Sequence, residues 1–209
     1  MTREKIKYYS LWFLLINIIV FFLQVSIQEF TELGVLNQTA LNGEYWRFVT
    51  AIFLHGSATH LIYNMFALFF FGFSLEKLIG SRKFLLVFFG SGIIANLISV
   101  NFYESSLGAS GAIMGIIGTL AILRPLMAVW VFGMVLPMSI AAIIYVIVDA
   151  VGIFIPSNIG HIAHLSGIFF GIVFGIIFRI NMEKQKKNHK VKVPEHLLRR
   201  WETLYMNAD

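Results

Sequence analysis

The chain has 209 residues, of which 58% are hydrophobic and 13% charged, about half the charged fraction of an ordinary globular domain. A water-soluble fold is excluded on that ground, and the absence of cysteine excludes disulfides, thiolate metal sites and cysteine nucleophiles. The formal charge of +5 could suit nucleic acid, but its placement along the chain assigns it to orientation in a membrane, and no nucleic-acid partner is expected.

Six windows of about 15 to 24 residues lack Lys, Arg, Asp and Glu, near the ~20 residues that a bilayer-crossing helix needs. They lie at roughly 10–28, 56–75, 84–101, 109–123, 126–148 and 158–178. The expected fold class is an all-α integral membrane protein with six transmembrane helices. Residues 1–9 form a short N-terminus, 10–180 the membrane domain and 181–209 a basic tail. The first segment follows Arg3, Lys5 and Lys7 as in a signal peptide, but Ile27-Gln28-Glu29-Phe30 has no small-x-small cleavage pattern, so the helix is read as retained. With six spans, fifteen of the sixteen Lys and Arg fall on one side and only Arg47 on the other. By the positive-inside rule both termini are cytoplasmic, in a multi-pass protein of the cell membrane.

The longest outer loop runs from about 29 to 55. It mixes Phe30, Leu33, Val35, Leu36 and Leu41 with Tyr45-Trp46-Arg47, a composition suited to the headgroup layer with Trp46 as an anchor. His55, just before the second span, reads as a structural residue that holds the loop by hydrogen bonds. Within that span His60 and Asn64 share one helix face. Both donate hydrogen bonds without carrying charge, which matters where a buried charge costs at least about 2.5–3.5 kcal/mol.

The fourth segment is short. Bounded by Gly108 and Arg124-Pro125, its 15 or so residues reach roughly 22 Å, against a hydrocarbon core about 30 Å thick. With Arg124 at the cytoplasmic surface, Ser110 of Gly108-Ala109-Ser110-Gly111 lies below the outer surface. The loop before it is tolerated there only if buried in protein or lining a water-filled cavity. Taken alone, those small residues equally suit the close packing of two helices. In the fifth segment Pro137 is expected to kink the span beside a substrate entrance.

The sixth segment carries His164 about six residues in, roughly 9 Å below its start, at a depth similar to Ser110. Gly167, Gly171 and Gly175 follow at four-residue spacing, and Gly111 and Gly115 form a matching pair after Ser110. Such stripes bring helix backbones into contact, so these two helices are expected to place Ser110 within reach of His164. Serine, histidine and uncharged donors at His60, Asn64 and the Ser110 amide, at a positive helix N-terminus, would perform acyl transfer with groups neutral at rest. In the tail, Lys184 to Lys192 should attract anionic lipid. Leu197, Leu198, Trp201, Leu204 and Tyr205 recur at helical spacing as a short interfacial helix.

These elements resemble the rhomboid family of intramembrane serine proteases over nearly the whole chain. The family's Trp-Arg element is matched by Trp46-Arg47, its His-x-x-x-Asn by His60 and Asn64, and its Gly-x-Ser-Gly by Gly108 to Gly111. Its Ala-His-x-x-Gly-x-x-x-Gly is matched by Ala163-His164 through Gly167 and Gly171. Each motif alone is weak; all four in order on a six-span chain are specific.

The resemblance implies a six-helix rhomboid-like bundle in which Ser110 is the nucleophile and His164 the base. His60, Asn64 and Gly108 would belong to the oxyanion and substrate-binding positions. Trp46, Arg47, Gly111, Gly115, Gly167 and Gly171 would be structural. It implies a serine endopeptidase acting on transmembrane proteins near their outer ends, at small residues with helix-destabilising neighbours. Substrates and membrane lipids are the expected partners, and no cofactor and no metal is expected.

The resemblance also implies a dyad without a carboxylate. Asp149 is the one carboxylate inside or bordering the last two spans, and no motif ties it to His164, so slow turnover is expected. Met114 stands where the family often has an aromatic residue against the catalytic histidine; its sulfur can touch the ring instead, with altered tuning. His161 fits the glycine spacing less well than His164 and is expected at the cavity mouth. Among alternatives, a client-binding pseudoprotease of the same fold would usually have lost the serine or histidine. A zinc site from His55, His60, His161 and His164 lacks HExxH. A transporter would show an internal repeat or paired broken helices, and neither is present.

Overall fold

The structure, a computed structural model, describes residues 6–131, 133–157, 159–188 and 194–206. Lys190 and Lys192, part of the tail expected to meet anionic lipid, lie outside the described residues. Helix α1 spans Tyr9–Ser26; the loop after it holds strand β1 (Leu36–Asn37) and the single turn α2 (Arg47–Thr50). A continuous apolar helix follows, made of α3 (Ala58–Ala67), a π-helical turn at Leu68–Gly72 and α4 (Phe73–Ile79). After Gly80, at φ 84, the chain reverses into α5 (Ser81–Ser99). Strand β2 (Ser105–Ser106) then precedes α6 (Ser110–Leu123). Next come strands β3 (Ala128–Val131) and β4 (Met134–Pro137), then helices α7 (Met138–Gly152), α8 (His161–Asn188) and α9 (Glu195–Tyr205).

Four helices are long and apolar enough to cross a membrane: Tyr9–Ser26, Ala58–Ile79, Ser81–Ser99 and His161–Gln185. α6 and α7 are shorter apolar helices in the fourth and fifth windows. The fifth window departs from expectation. Its first part pairs as an antiparallel hairpin, Ala128 opposite Pro137 and Val131 opposite Met134, through Gly133 at φ 78. β-Branched and aromatic side chains favour the pleated backbone there. Pro137, at φ −60 and ψ 142, ends the hairpin and sits at the N-cap of α7, so it kinks no span: a proline that donates no N–H belongs at a helix start.

α6 is the central element. Every residue from Gly111 to Leu120 is buried, between α5 and α8. The glycines permit this. A Cβ at Gly167 would overlap the Gly111 carbonyl, one at Gly171 the Gly115 carbonyl, and one at Gly118 the Ile168 carbonyl. The Thr119 hydroxyl lies 2.9 Å from the Gly115 carbonyl and 2.8 Å from that of Gly171, adding a polar tie between helices that apolar solvent cannot drive together.

At the opposite end from Ser110, the fully buried carboxylate of Glu76 accepts from the Tyr9 and Ser10 amides, both at 2.9 Å. It also accepts from the hydroxyls of Ser10 at 2.8 Å and Ser81 at 2.7 Å. One side chain thereby satisfies the open N-terminus of α1 and fastens it to α4. The expected C-terminal helix is present as α9, with Leu197, Leu198, Trp201, Leu204 and Tyr205 all exposed.

Candidate active site

The loop between α1 and α3 is a folded platform. Arg47, 8% exposed, donates from its guanidinium to the carbonyls of Glu32 at 2.7 Å and Val35 at 2.8 Å and pairs with Glu44. The Thr39 hydroxyl and then Arg47 hold the Glu44 carboxyl below the usual carboxylate range. Trp46 donates its indole N–H to the Leu33 carbonyl at 3.2 Å and is about half exposed, which fits an amphipathic anchor. Asn96 of α5 donates to the Phe48 carbonyl at 2.9 Å. Two ties then reach the segment before Ser110: β1 pairs with β2, Leu36 opposite Ser106, and the Gly108 amide donates to the Ala51 carbonyl at 2.8 Å.

Gly108 has φ +127, and a Cβ there would lie 2.7 Å from Cε1 of His60 and 3.0 Å from its Nε2. The His60 imidazole therefore rests on the backbone just ahead of Ser110. Asn64, one turn on and buried, donates to the His60 carbonyl at 3.0 Å, which leaves its second amide proton free of that bond. Ser110 opens α6, half-buried, after Ala109, which supplies no side-chain cap. The N–H groups of the first turn are thus left without a capping side chain.

Ser110 and His164 stand at one level of the bundle. The Ala163 carbonyl lies 3.7 Å from where a Gly111 Cβ would be, and Gly167 packs on the Gly111 carbonyl. Ala163, just before His164, and Gly167, about one turn after it, thus both meet Gly111, the residue next to Ser110. Among the described residues the Ser110 hydroxyl makes no hydrogen bond to His164; in enzymes without substrate such contacts are often long. Met114 is buried in the core.

The expectation that no carboxylate meets His164 is corrected. Oδ1 of Asp149, on α7, lies 3.0 Å from Nδ1 of His164 and 2.7 Å from Nδ1 of His161. The contacts span 15 and 12 residues across a helix–loop–helix connection, a separation with no local spacing signal. His161 is also corrected: at 7% exposed it is buried against Asp149 and not open at a cavity mouth. Its Nε2 lies 3.1 Å from the Ser157 hydroxyl, and a Cβ at Gly152 would overlap its ring. The Tyr103 hydroxyl accepts from the Ile162 amide at 3.0 Å, tying the first turn of α8 to the α5–α6 connection.

His55 holds its loop differently from expectation. Its backbone, not its ring, makes the ties: its amide donates to Gln24 Oε1 at 2.9 Å, and Gln24 Nε2 donates to its carbonyl at 3.3 Å. The ring is 2% exposed, packs 5.1 Å from the His60 ring and makes no full hydrogen bond. Burial, reinforced by His60 and opposed by a marginal contact with the Phe53 carbonyl, lowers its pKa to about 4.

A rhomboid domain model matches residues 42–181 of the chain. YdcA of Bacillus subtilis (strain 168), whose name carries the rhomboid-protease description provisionally, is 36% identical over 138 residues, 65% of this chain and 68% of that protein. The rhomboid protease GluP of the same organism is 33% identical over 172 residues, 76% of this chain and 32% of GluP. The rhomboid protease AarA of Providencia stuartii is 34% identical over 133 residues, 51% of this chain and 47% of AarA. The chain therefore spans two thirds of the first of these relatives and less than half of the other two.

Proposed function

The chain belongs to the rhomboid family, its apolar helices make it a multi-pass membrane protein, and its relatives' names support intramembrane proteolysis. On that premise we propose that it is an active serine endopeptidase that uses Ser110 and His164 to cut transmembrane proteins near the outer face of the cell membrane. In this reading the six apolar helices all cross the bilayer, and both termini lie in the cytoplasm, where the basic residues gather. The observation that carries the proposal is the seating of Ala163 and Gly167, on either side of His164, against Gly111 beside Ser110.

The chemistry follows from that placement. The Ser110 hydroxyl gives its proton to His164 Nε2 as its oxygen bonds the scissile carbonyl carbon. The developing oxyanion accepts from the Ser110 amide at the uncapped start of α6, from His60 and from the second amide proton of Asn64. Each such donor contributes about 10²–10³ in rate. The proton on His164 then passes to the leaving nitrogen as the C–N bond breaks. Water repeats the sequence on the acyl-enzyme. Gly108 brings the backbone and the His60 ring together, so the donors are preorganised and require no charge inside the membrane.

Full-length protein in liposomes with a transmembrane substrate bearing small residues near its outer end tests this directly. Wild type should cleave the substrate, and Ser110→Ala and His164→Ala should leave it intact. Equal cleavage by wild type and Ser110→Ala would overturn the reading.

A further inference from the structure

We propose that Asp149 is a positioning residue for hydrolysis: it fixes the tautomer of His164 and steadies the imidazolium that forms there, sharing one carboxylate oxygen with His161. The proposal rests on the reading of His164 as the base. A carboxylate only accepts hydrogen bonds, so the two contacts to Oδ1, at 3.0 Å from His164 and 2.7 Å from His161, place the ring protons on both Nδ1 atoms. Nε2 of His164 is then unprotonated, the form required to take a proton from Ser110. By the same logic Nε2 of His161 accepts from the Ser157 hydroxyl at 3.1 Å.

Asp149 is 5% exposed, and its charge acts at short range in an environment of low polarity. When His164 becomes cationic the proton on Nδ1 stays in place, and the anion beside it offsets the cost of a buried charge. His161 is a second claimant on that oxygen, held by Ser157 and by the room Gly152 leaves. It divides the field that His164 would otherwise receive alone. Other titratable groups close by are His60 from α3 and Tyr145, one turn before Asp149 on α7.

Two imidazole nitrogens and a carboxylate oxygen so grouped also approach the donor set of a divalent cation. Ligand atoms around a tetrahedral zinc, each about 2.0–2.1 Å from the metal, stand roughly 3.3 Å apart. The 3.0 and 2.7 Å separations are hydrogen-bond lengths, so both histidines are hydrogen-bonded to Asp149.

The test uses full-length protein in liposomes with a transmembrane substrate, Ser110→Ala setting the zero. Asp149→Asn presents an amide where two N–H donors converge. Its kcat should fall by at least about 10²-fold, toward the order of 10⁴ known when this exchange reverses a catalytic tautomer. KM should change little, and the acidic limb of the kcat/KM profile should move to lower pH. Asp149→Glu should recover part of the loss. His161→Gln, which leaves the carboxylate to His164, should move that limb to higher pH. Wild-type kcat and pH profile in Asp149→Asn would overturn the proposal, as would lowered activity in both variants with neither limb displaced, the mark of a merely structural role. Should Asp149→Asn fail to fold, an undisplaced limb in His161→Gln overturns it alone. Cleavage that survives Ser110→Ala would refute the protease reading instead, which separates the two failures.

Discussion

At Gly108 the backbone turns through φ +127 with the His60 ring packed where a side chain would begin. Any other residue must leave that backbone region or displace the imidazole. Gly108→Ala should therefore lower kcat by about 10²-fold, the cost of an ångström-scale misplacement of reacting groups, while thermal unfolding changes far less. A variant with wild-type turnover would show that His60 needs no such seat.

His55 sets a pH dependence of stability. The unfolded ring titrates near 6.5, whereas burial and then His60 hold it to about 4 in the fold. Between those values the unfolded chain binds more protons, so stability rises with pH. The contribution is complete above about 6.5 and drains away toward 4. Melting temperatures measured from pH 7 down to pH 4 should fall, and His55→Gln should flatten the decline. An unchanged slope would contradict this assignment.

At this scale Ser110, His164, His60 and Asn64 were legible as positions on their helices, because each is set by spacing within one helix. Asp149 was not. Its partners lie 12 and 15 residues away, and only the packing of α7 on α8 brings them together.

Among the elements, the α6–α8 contact was the most readable feature, because glycine at four-residue intervals has a direct physical meaning. The structure sharpens it into backbone seated on backbone. Gly171→Ala would push its methyl into the Gly115 carbonyl, which cannot rotate away as a side chain could. Overpacking of this kind costs about 1–3 kcal/mol, so reversible unfolding in micelles should shift accordingly and cleavage should weaken with it. Wild-type stability would mean that the helices part freely. The β3–β4 hairpin was not legible, because a run of apolar residues reads alike as span or strand; Gly133 and Pro137 were its only local marks. The role of Glu76 was also hidden, since its partners are the backbone amides of a helix 66 and 67 residues earlier.

For the whole molecule, composition alone was sufficient to assign a membrane protein, and the described helices agree in four long apolar segments with two shorter ones between them. The arrangement is anchored at both ends. Glu76 fastens the first helix at one end. At the other, Arg47 and the β1–β2 pair fasten the loop after α1 to the segment leading into Ser110. Between these anchors the central helix presents an uncapped N-terminus at the level of His164, an arrangement suited to water-dependent chemistry in an apolar setting. The most direct measurement is covalent labelling of the full-length protein in its membrane by a fluorophosphonate, with the modified residue identified by mass spectrometry. Label is expected on Ser110, formed at least about 10²-fold more slowly in His164→Ala. Label on another residue, or label on Ser110 at an undiminished rate without His164, would contradict it.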